Sequence, residues 1–220
     1  MSDSDVRSRR LAGDLLDIEA VLLAPGEPFT WASGLRAPIY CDNRLTMAYP
    51  RIRRAIRDGF ADVIEREGFA AEVVVGTATA GIPHAAWLAE RLERPMAYVR
   101  AAKKGHGRQN QIEGIVEPGQ AVVVVEDLIS TGGSALGAVE ALRAAGASVE
   151  AVLAIFSYEF DAAAERFAAA GVPYRTLTGY RALLEVAEAR DTLTPAALDA
   201  LRAWRRDPEA WSDKFVMRDA

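Results

Sequence analysis

The sequence predicts an α/β fold: a parallel sheet flanked by helices, preceded by a small N-terminal unit of another kind. Three observations predict it. Short runs such as Val73–Val75 and Ala121–Val125 are continuously apolar and rich in β-branched residues, as strands covered on both faces are. Helix-length segments alternate with these runs, the arrangement that produces parallel strands. Residues up to about 45 lack that alternation and carry short β-like pieces broken by glycine and proline.

In chain order, Leu11, Leu15, Ile18 and Leu22 recur at spacings of three and four and predict a helix over 5–23, stopped by Pro25-Gly26. Phe29–Trp31 and Pro38–Cys41 read as short strands around Ser33-Gly34. Pro50 suits the first turn of a helix that runs to Glu67 and is closed by Gly68. Glu72–Val75 is a strand, 82–92 a helix and Met96–Arg100 a strand. Residues 101–114 have no apolar periodicity and read as a long loop, a feature compact domains keep for function. The four valines 122–125 form the strongest strand, ending in Glu126-Asp127. A helix to about Ala145, a strand over Val149–Phe156, a helix over 160–170 and a strand over Tyr174–Leu177 follow. Thr194-Pro195 opens a C-terminal helix over about 194–206.

The chain has 220 residues, a formal net charge of −5, 50% hydrophobic and 26% charged residues, as expected of one globular domain over 1–220. The acidic balance argues against a general nucleic-acid binder. The single cysteine, Cys41, excludes an internal disulfide and a multi-cysteine metal site. No apolar run approaches the ~20 residues of a membrane helix, and the polar stretch Met1–Arg10 is no secretory signal. A cytoplasmic location is expected. Only three residues are lysines, Lys103, Lys104 and Lys214, and two of them stand with His106 in Lys103-Lys104-Gly105-His106-Gly107.

Ligands of open parallel sheets bind beyond the carboxyl ends of the strands. Glu126 and Asp127 leave a buried strand side by side there. They could accept hydrogen bonds from the vicinal hydroxyls of a sugar, or hold a metal through its waters. The following Ser130-Thr131-Gly132-Gly133-Ser134 supplies hydroxyls, close backbone approach and the start of a helix, all suited to a phosphate. A generic Ser-Thr-Gly-Gly turn is usually only a capped helix start, with Ser130 as a cap. The complete string of apolar residues, two acids, two apolar residues and the small polar run is far more specific. It is not a Walker loop, since no Gly-Lys-Ser/Thr follows. His84 on its amphipathic helix reads as a satisfied structural histidine. Cys41 reads as a small buried residue, and Trp31, Trp87, Trp204 and Trp211 as packing.

Residues Val122–Ser134 resemble the thirteen-residue phosphoribosyl-pyrophosphate signature of the type I phosphoribosyltransferases. The resemblance implies that Glu126 and Asp127 contact ribose hydroxyls, and that Leu128, Ile129, Ser130, Thr131, Gly132, Gly133 and Ser134 form the 5-phosphate loop. Phe29–Arg44 is similar to the N-terminal signature of the orotate phosphoribosyltransferases, Gly76–Gly81 to their pyrophosphate loop, and Tyr98–Arg100 with 103–107 to their mobile catalytic loop. The resemblance further implies a hood from about 1–45 over a core from about 46–190. It implies Mg²⁺ carried on substrate pyrophosphate and ribose oxygens with no protein metal ligands, and Ser130 on the orotate carboxylate. A homodimer follows in which Lys104 and His106 reach the neighbouring site. Where many members carry basic residues this chain has Ala32, Ala80, Ala101 and Tyr158. The Asp42-Asn43-Arg44 segment reads as a charged turn; the resemblance places it in the hood.

Ribosyl transfer to a ring nitrogen builds positive charge on the sugar and negative charge on the leaving group. Carboxylates suit the first; Arg100, Lys104 and His106 suit the second. Lys104, His106 and Asp127 are therefore the expected catalytic groups, in a protein that transfers phosphoribosyl from phosphoribosyl pyrophosphate to orotate. A purine or xanthine phosphoribosyltransferase shares the central motif, but the Ser-Gly-x-x-Ala-Pro-Ile-Tyr segment argues against it. A non-catalytic phosphoribosyl-pyrophosphate sensor would lack the intact loop that this chain keeps.

Overall fold

The computed structural model describes residues 2–101 and 111–216. Its centre is a six-stranded sheet formed by β5 (Val73–Thr77), β6 (Met96–Val99), β7 (Ile112–Glu113), β8 (Ala121–Ile129), β9 (Ser148–Ser157) and β10 (Tyr174–Gly179), in the order β10-β9-β8-β5-β6-β7. All pairings are parallel except β6 with β7. The valine runs are continuous because successive side chains enter different cores. Val74, Val123 and Val125 pack with α2 (Pro50–Glu67) and α3 (Gly81–Leu92) on one face. Val73, Val75, Val122 and Val124 pack with α4 (Gly133–Ala144) and α5 (Asp161–Ala169) on the other.

After β5 the chain crosses outward to β6; after β7 it returns to the other side of β5 as β8. The helices that leave β5 and β8 go to opposite faces of the sheet, which opens a crevice between the two strand ends.

Several sequence expectations are corrected. The first helix, α1, spans Asp3–Asp17 rather than 5–23. Glu19 takes φ 57°, and Val21–Leu23 becomes strand β1, paired antiparallel with β4 (Ile39–Cys41). Backbone pairing with a distant segment overrides a helical spacing. Strand β8 does not stop at Val125 but continues through the acids to Ile129, because β9 pairs with it that far. The 101–114 loop contains β7. Helices α6 (Tyr180–Ala189) and α8 (Pro208–Val216) follow no sequence expectation, while α7 (Pro195–Arg206) begins as expected, with the Thr194 side chain accepting from Ala197 N.

A second hairpin, β2 (Phe29–Thr30) with β3 (Arg36–Ala37), carries Trp31 at its turn. The hairpins are buttressed by the far end of the chain: Arg36 N donates to Ser212 Oγ of α8 at 2.9 Å. Trp31 lies 5.0 Å from Tyr158 and 5.6 Å from Trp204 of α7, ring centre to ring centre. Phe160 and Tyr180 complete this aromatic cluster around Trp204. The 3₁₀ helix Asn43–Ala48 then brings the chain from the hairpins down onto β8.

Candidate active site

The crevice is built from the residues that end β5, β6, β8 and β9. Glu126 is 6% exposed. Its Oε1 accepts from Asp127 N at 3.1 Å, and its Oε2 has no partner among the described residues. Burial and the adjoining Asp127 carboxylate push its carboxyl up to about 7. Asp127 is half-buried, and burial raises its carboxyl as well. The pair thus offers an unpartnered buried acceptor, Glu126 Oε2, beside a partly exposed carboxylate, an arrangement suited to hydroxyl donors.

Beyond the acids, Leu128 and Ile129 pack into the two opposite cores, Ile129 fully buried, so a ligand meets Ile129 through its backbone. Ser130 is half-buried, and Thr131, Gly133 and Ser134 are exposed. Gly132 adopts φ 78° as the N-cap of α4, a conformation that favours glycine, and an added Cβ would lie 2.7 Å from the Phe167 ring. No side chain caps α4. The expected capping alternative for Ser130 therefore does not occur, and the first-turn N–H groups remain available to an anion.

The β5 end mirrors this. Helix α3 also starts without a side-chain cap. An added Cβ on Gly81 would lie 2.3 Å from Val125 O, so only glycine lets α3 come this close to β8. Between the two strand ends lies a cavity of about 160 Å³ lined by Thr77, Ala78, Arg100, Gln111, Gly133 and Ser134. Arg100 stands at the end of β6 with its guanidinium 3.5 Å from Glu113 of β7. The cavity is sized for a phosphate group and combines one cation with an uncapped helix start.

On the hairpin side, Asp42 accepts from Arg44 N at 3.1 Å and pairs with the Arg44 guanidinium at 2.6 and 2.8 Å. Asn43, read in sequence as part of a charged turn, is fully buried and donates from Nδ2 to Asp127 O at 2.7 Å. Polar residues at a turn look like surface residues; no local signal betrays this one. Tyr158 is 3% exposed within the aromatic cluster and its N–H donates to Ile129 O at 3.1 Å. Cys41 is half-buried, and burial beside Asp127 and Asp42 raises its thiol well above the ordinary range. His84 is buried, and burial lowers it to about 4. It is the expected structural histidine, except that its Nδ1 has no partner among the described residues.

The structure thus brings together Arg100, Glu126, Asp127 and the Ser130–Ser134 loop. Lys103, Lys104 and His106 lie outside the described residues. No helix among the described residues is long and apolar enough to cross a membrane.

Comparisons with known proteins agree with this geometry. The family model described as "Phosphoribosyl transferase domain" matches residues 47–176. The orotate phosphoribosyltransferase of Lactiplantibacillus plantarum is 55% identical over 201 residues, which cover 91% of this chain and 95% of that one. The crystal structure of orotate phosphoribosyltransferase from Aeropyrum pernix is 32% identical with a TM-score of 0.72, over 84% of this chain and 99% of that one. The Mycobacterium tuberculosis H37Rv orotate phosphoribosyltransferase, solved in complex with 5-phospho-alpha-D-ribosyl 1-diphosphate, is 27% identical with a TM-score of 0.63, over 80% of this chain and 98% of that one. From its fold, its crevice and these relatives, the chain belongs to the orotate phosphoribosyltransferases of the type I phosphoribosyltransferase family.

Proposed function

We infer that the chain transfers the 5-phosphoribosyl group from phosphoribosyl pyrophosphate to orotate, giving orotidine 5′-phosphate and pyrophosphate for pyrimidine synthesis. The observation that carries this is the placement of an acid pair, a buried Glu126 with an unpartnered Oε2 beside a half-buried Asp127, shortly before an uncapped helix start. The Ser130–Ser134 backbone and hydroxyls hold the 5-phosphate, and Ser130 also meets the orotate carboxylate. Glu126 and Asp127 accept from the ribose hydroxyls and stabilise the cationic sugar as its bond to pyrophosphate breaks and the bond to the ring nitrogen forms. Arg100, Lys104 and His106 face the departing pyrophosphate. The segment with Lys104 and His106 serves to exclude water, which would otherwise take the sugar.

Among the described residues no cluster of three or more His, Cys, Asp or Glu could hold a metal by itself. The unpartnered Glu126 Oε2 suits contact with a Mg²⁺ that arrives on the substrate, through sugar or water oxygens. The chemistry a bound Mg²⁺ would supply is neutralisation of pyrophosphate charge. The active unit is a cytoplasmic homodimer of single-domain chains, each lending Lys104 and His106 to the other's site.

Purified protein with Mg²⁺, phosphoribosyl pyrophosphate and orotate should consume orotate absorbance, and adenine or xanthine should not replace it. Turnover with a purine alone would overturn the assignment. Lys104→Ala and His106→Ala should each lower kcat by about 100-fold. Mixed dimers of Lys104→Ala with Asp127→Asn chains should regain activity, and their silence would refute site sharing.

A further inference from the structure

Strand β8 is paired with β9 through Ile129, but its pairing with β5 ends at Gly76–Val125. Carbonyls of alternate residues leave a strand on the same side. Ala121 O faces β5, accepting from Glu72 N at 2.9 Å. The carbonyls of Val125 and Asp127 therefore project from that same edge, Val125 at the last rung of the β5 ladder and Asp127 beyond it. Thr77 Oγ1 also donates to Val125 O at 3.1 Å, and beyond the ladder a side chain takes the place of the missing strand: Asn43 Nδ2 donates to Asp127 O at 2.7 Å.

Asn43 is itself held firmly. Thr46 Oγ1 donates to its carbonyl at 2.6 Å, and Thr46 Oγ1 lies 3.4 Å from His84 Nε2 on α3. The 3₁₀ helix is thus anchored below by α3, and its first residue reaches sideways to the backbone of an acid-pair residue.

We propose that Asn43 is a positioning residue for the transfer reaction: it replaces the absent strand partner, fixes the Asp127 backbone and so aims the Asp127 carboxylate at the sugar. The role rests on the proposed part of Asp127 in that reaction. Without the amide donor, a part-buried carbonyl at a one-sided strand end loses the partner that holds it and the peptide is freer to turn. A small misplacement of a catalytic carboxylate lowers the rate steeply.

The test is a double-mutant cycle on full-length protein, with kcat and KM measured below the melting temperature of every variant and normalised to folded protein. Asn43→Ala should lower kcat by about 10-fold or more while KM for phosphoribosyl pyrophosphate changes by less than about 3-fold. In an Asp127→Asn background the same change should cost less than about 2-fold, because the carboxylate it aims is gone. Should Asn43→Ala not fold, Asn43→Asp, which keeps the shape and loses the donor, replaces it in the cycle. Equal losses in both backgrounds, or a wild-type rate in the Asn43 variant, would overturn the positioning role while leaving the Asp127 assignment standing. A wild-type rate in Asp127→Asn would overturn the Asp127 assignment and this role with it.

Discussion

Glu126 holds its carboxyl where the fold disfavours the charge that its proposed sugar contact needs. Its folded value of about 7 lies above the ordinary 4.5. The proton-bound form is therefore favoured in the native state. The stability it confers is complete below about pH 4.5 and is lost as pH rises to about 7. At about 1.4 kcal/mol per pH unit the difference is on the order of 3 kcal/mol. Glu126→Gln should flatten that part of the stability profile and raise the melting temperature at pH 8, measured by thermal unfolding at pH 5 and 8. Hydroxyl donors favour the ionised form, so substrate binding releases a proton and weakens as pH falls below 7. In calorimetric titrations at pH 8, Glu126→Gln should bind phosphoribosyl pyrophosphate about 10-fold more weakly, given the value of a charge-assisted hydrogen bond. Undiminished binding there would remove Glu126 from the ribose site.

At the scale of elements, the crevice depends on how closely α3 approaches β8. A Gly81→Ala methyl would meet Val125 O at 2.3 Å, which cannot yield without moving β8, and Thr77 Oγ1 at 2.6 Å, which yields only by giving up its hydrogen bond to Val125 O. Denaturant unfolding should show a loss of about 1–3 kcal/mol. Gly137→Ala, in the interior of α4 with nothing within 4 Å of the added methyl, should instead gain about 0.5–1 kcal/mol. The valine strands of this layer were readable in sequence because each valine meets a core on one face or the other. The end of β8 was not: Glu126 and Asp127 look like loop residues until β9 supplies their backbone partners. Nor was the end of α1, where Leu22 keeps helical spacing but pairs with Tyr40 across a hairpin. Helix α6 did carry a signal, the spacing of Tyr180, Leu183, Leu184 and Ala187, which are its buried face. Of the site, the linear motif at 126–134 was legible because one strand and one turn contain it. The contribution of Asn43 was not, since it exists only through contact with a residue 84 positions away.

At the scale of the molecule, the two ends of the described chain meet over the sheet. Trp204 is fully buried and touches Trp31, Tyr158, Phe160 and Tyr180, while Trp211 of α8 is 5% exposed in the same core. Ending the chain at Asp207 removes Trp211 and the Ser212 acceptor for Arg36 N. Such a protein should melt at least about 5 °C lower. With the hood over the base, as the family resemblance implies, its KM for orotate should rise several-fold more than its KM for phosphoribosyl pyrophosphate, because the hairpin bearing Trp31 loosens while the Ser130–Ser134 loop stays. Steady-state kinetics with each substrate varied in turn would show whether the two respond differently. The same contact orders events during synthesis. Arg36 and Ser212 are 176 positions apart, and a chain leaves the ribosome from its N-terminus. The strands and the phosphate-facing turns emerge well before α7 and α8. The hairpins must wait, half-dressed in exposed aromatic surface, until the final helices arrive to cover them. The aromatic cluster around Trp204 is thus the last part of the fold to be covered, and a nascent chain is most exposed to misassociation at that surface.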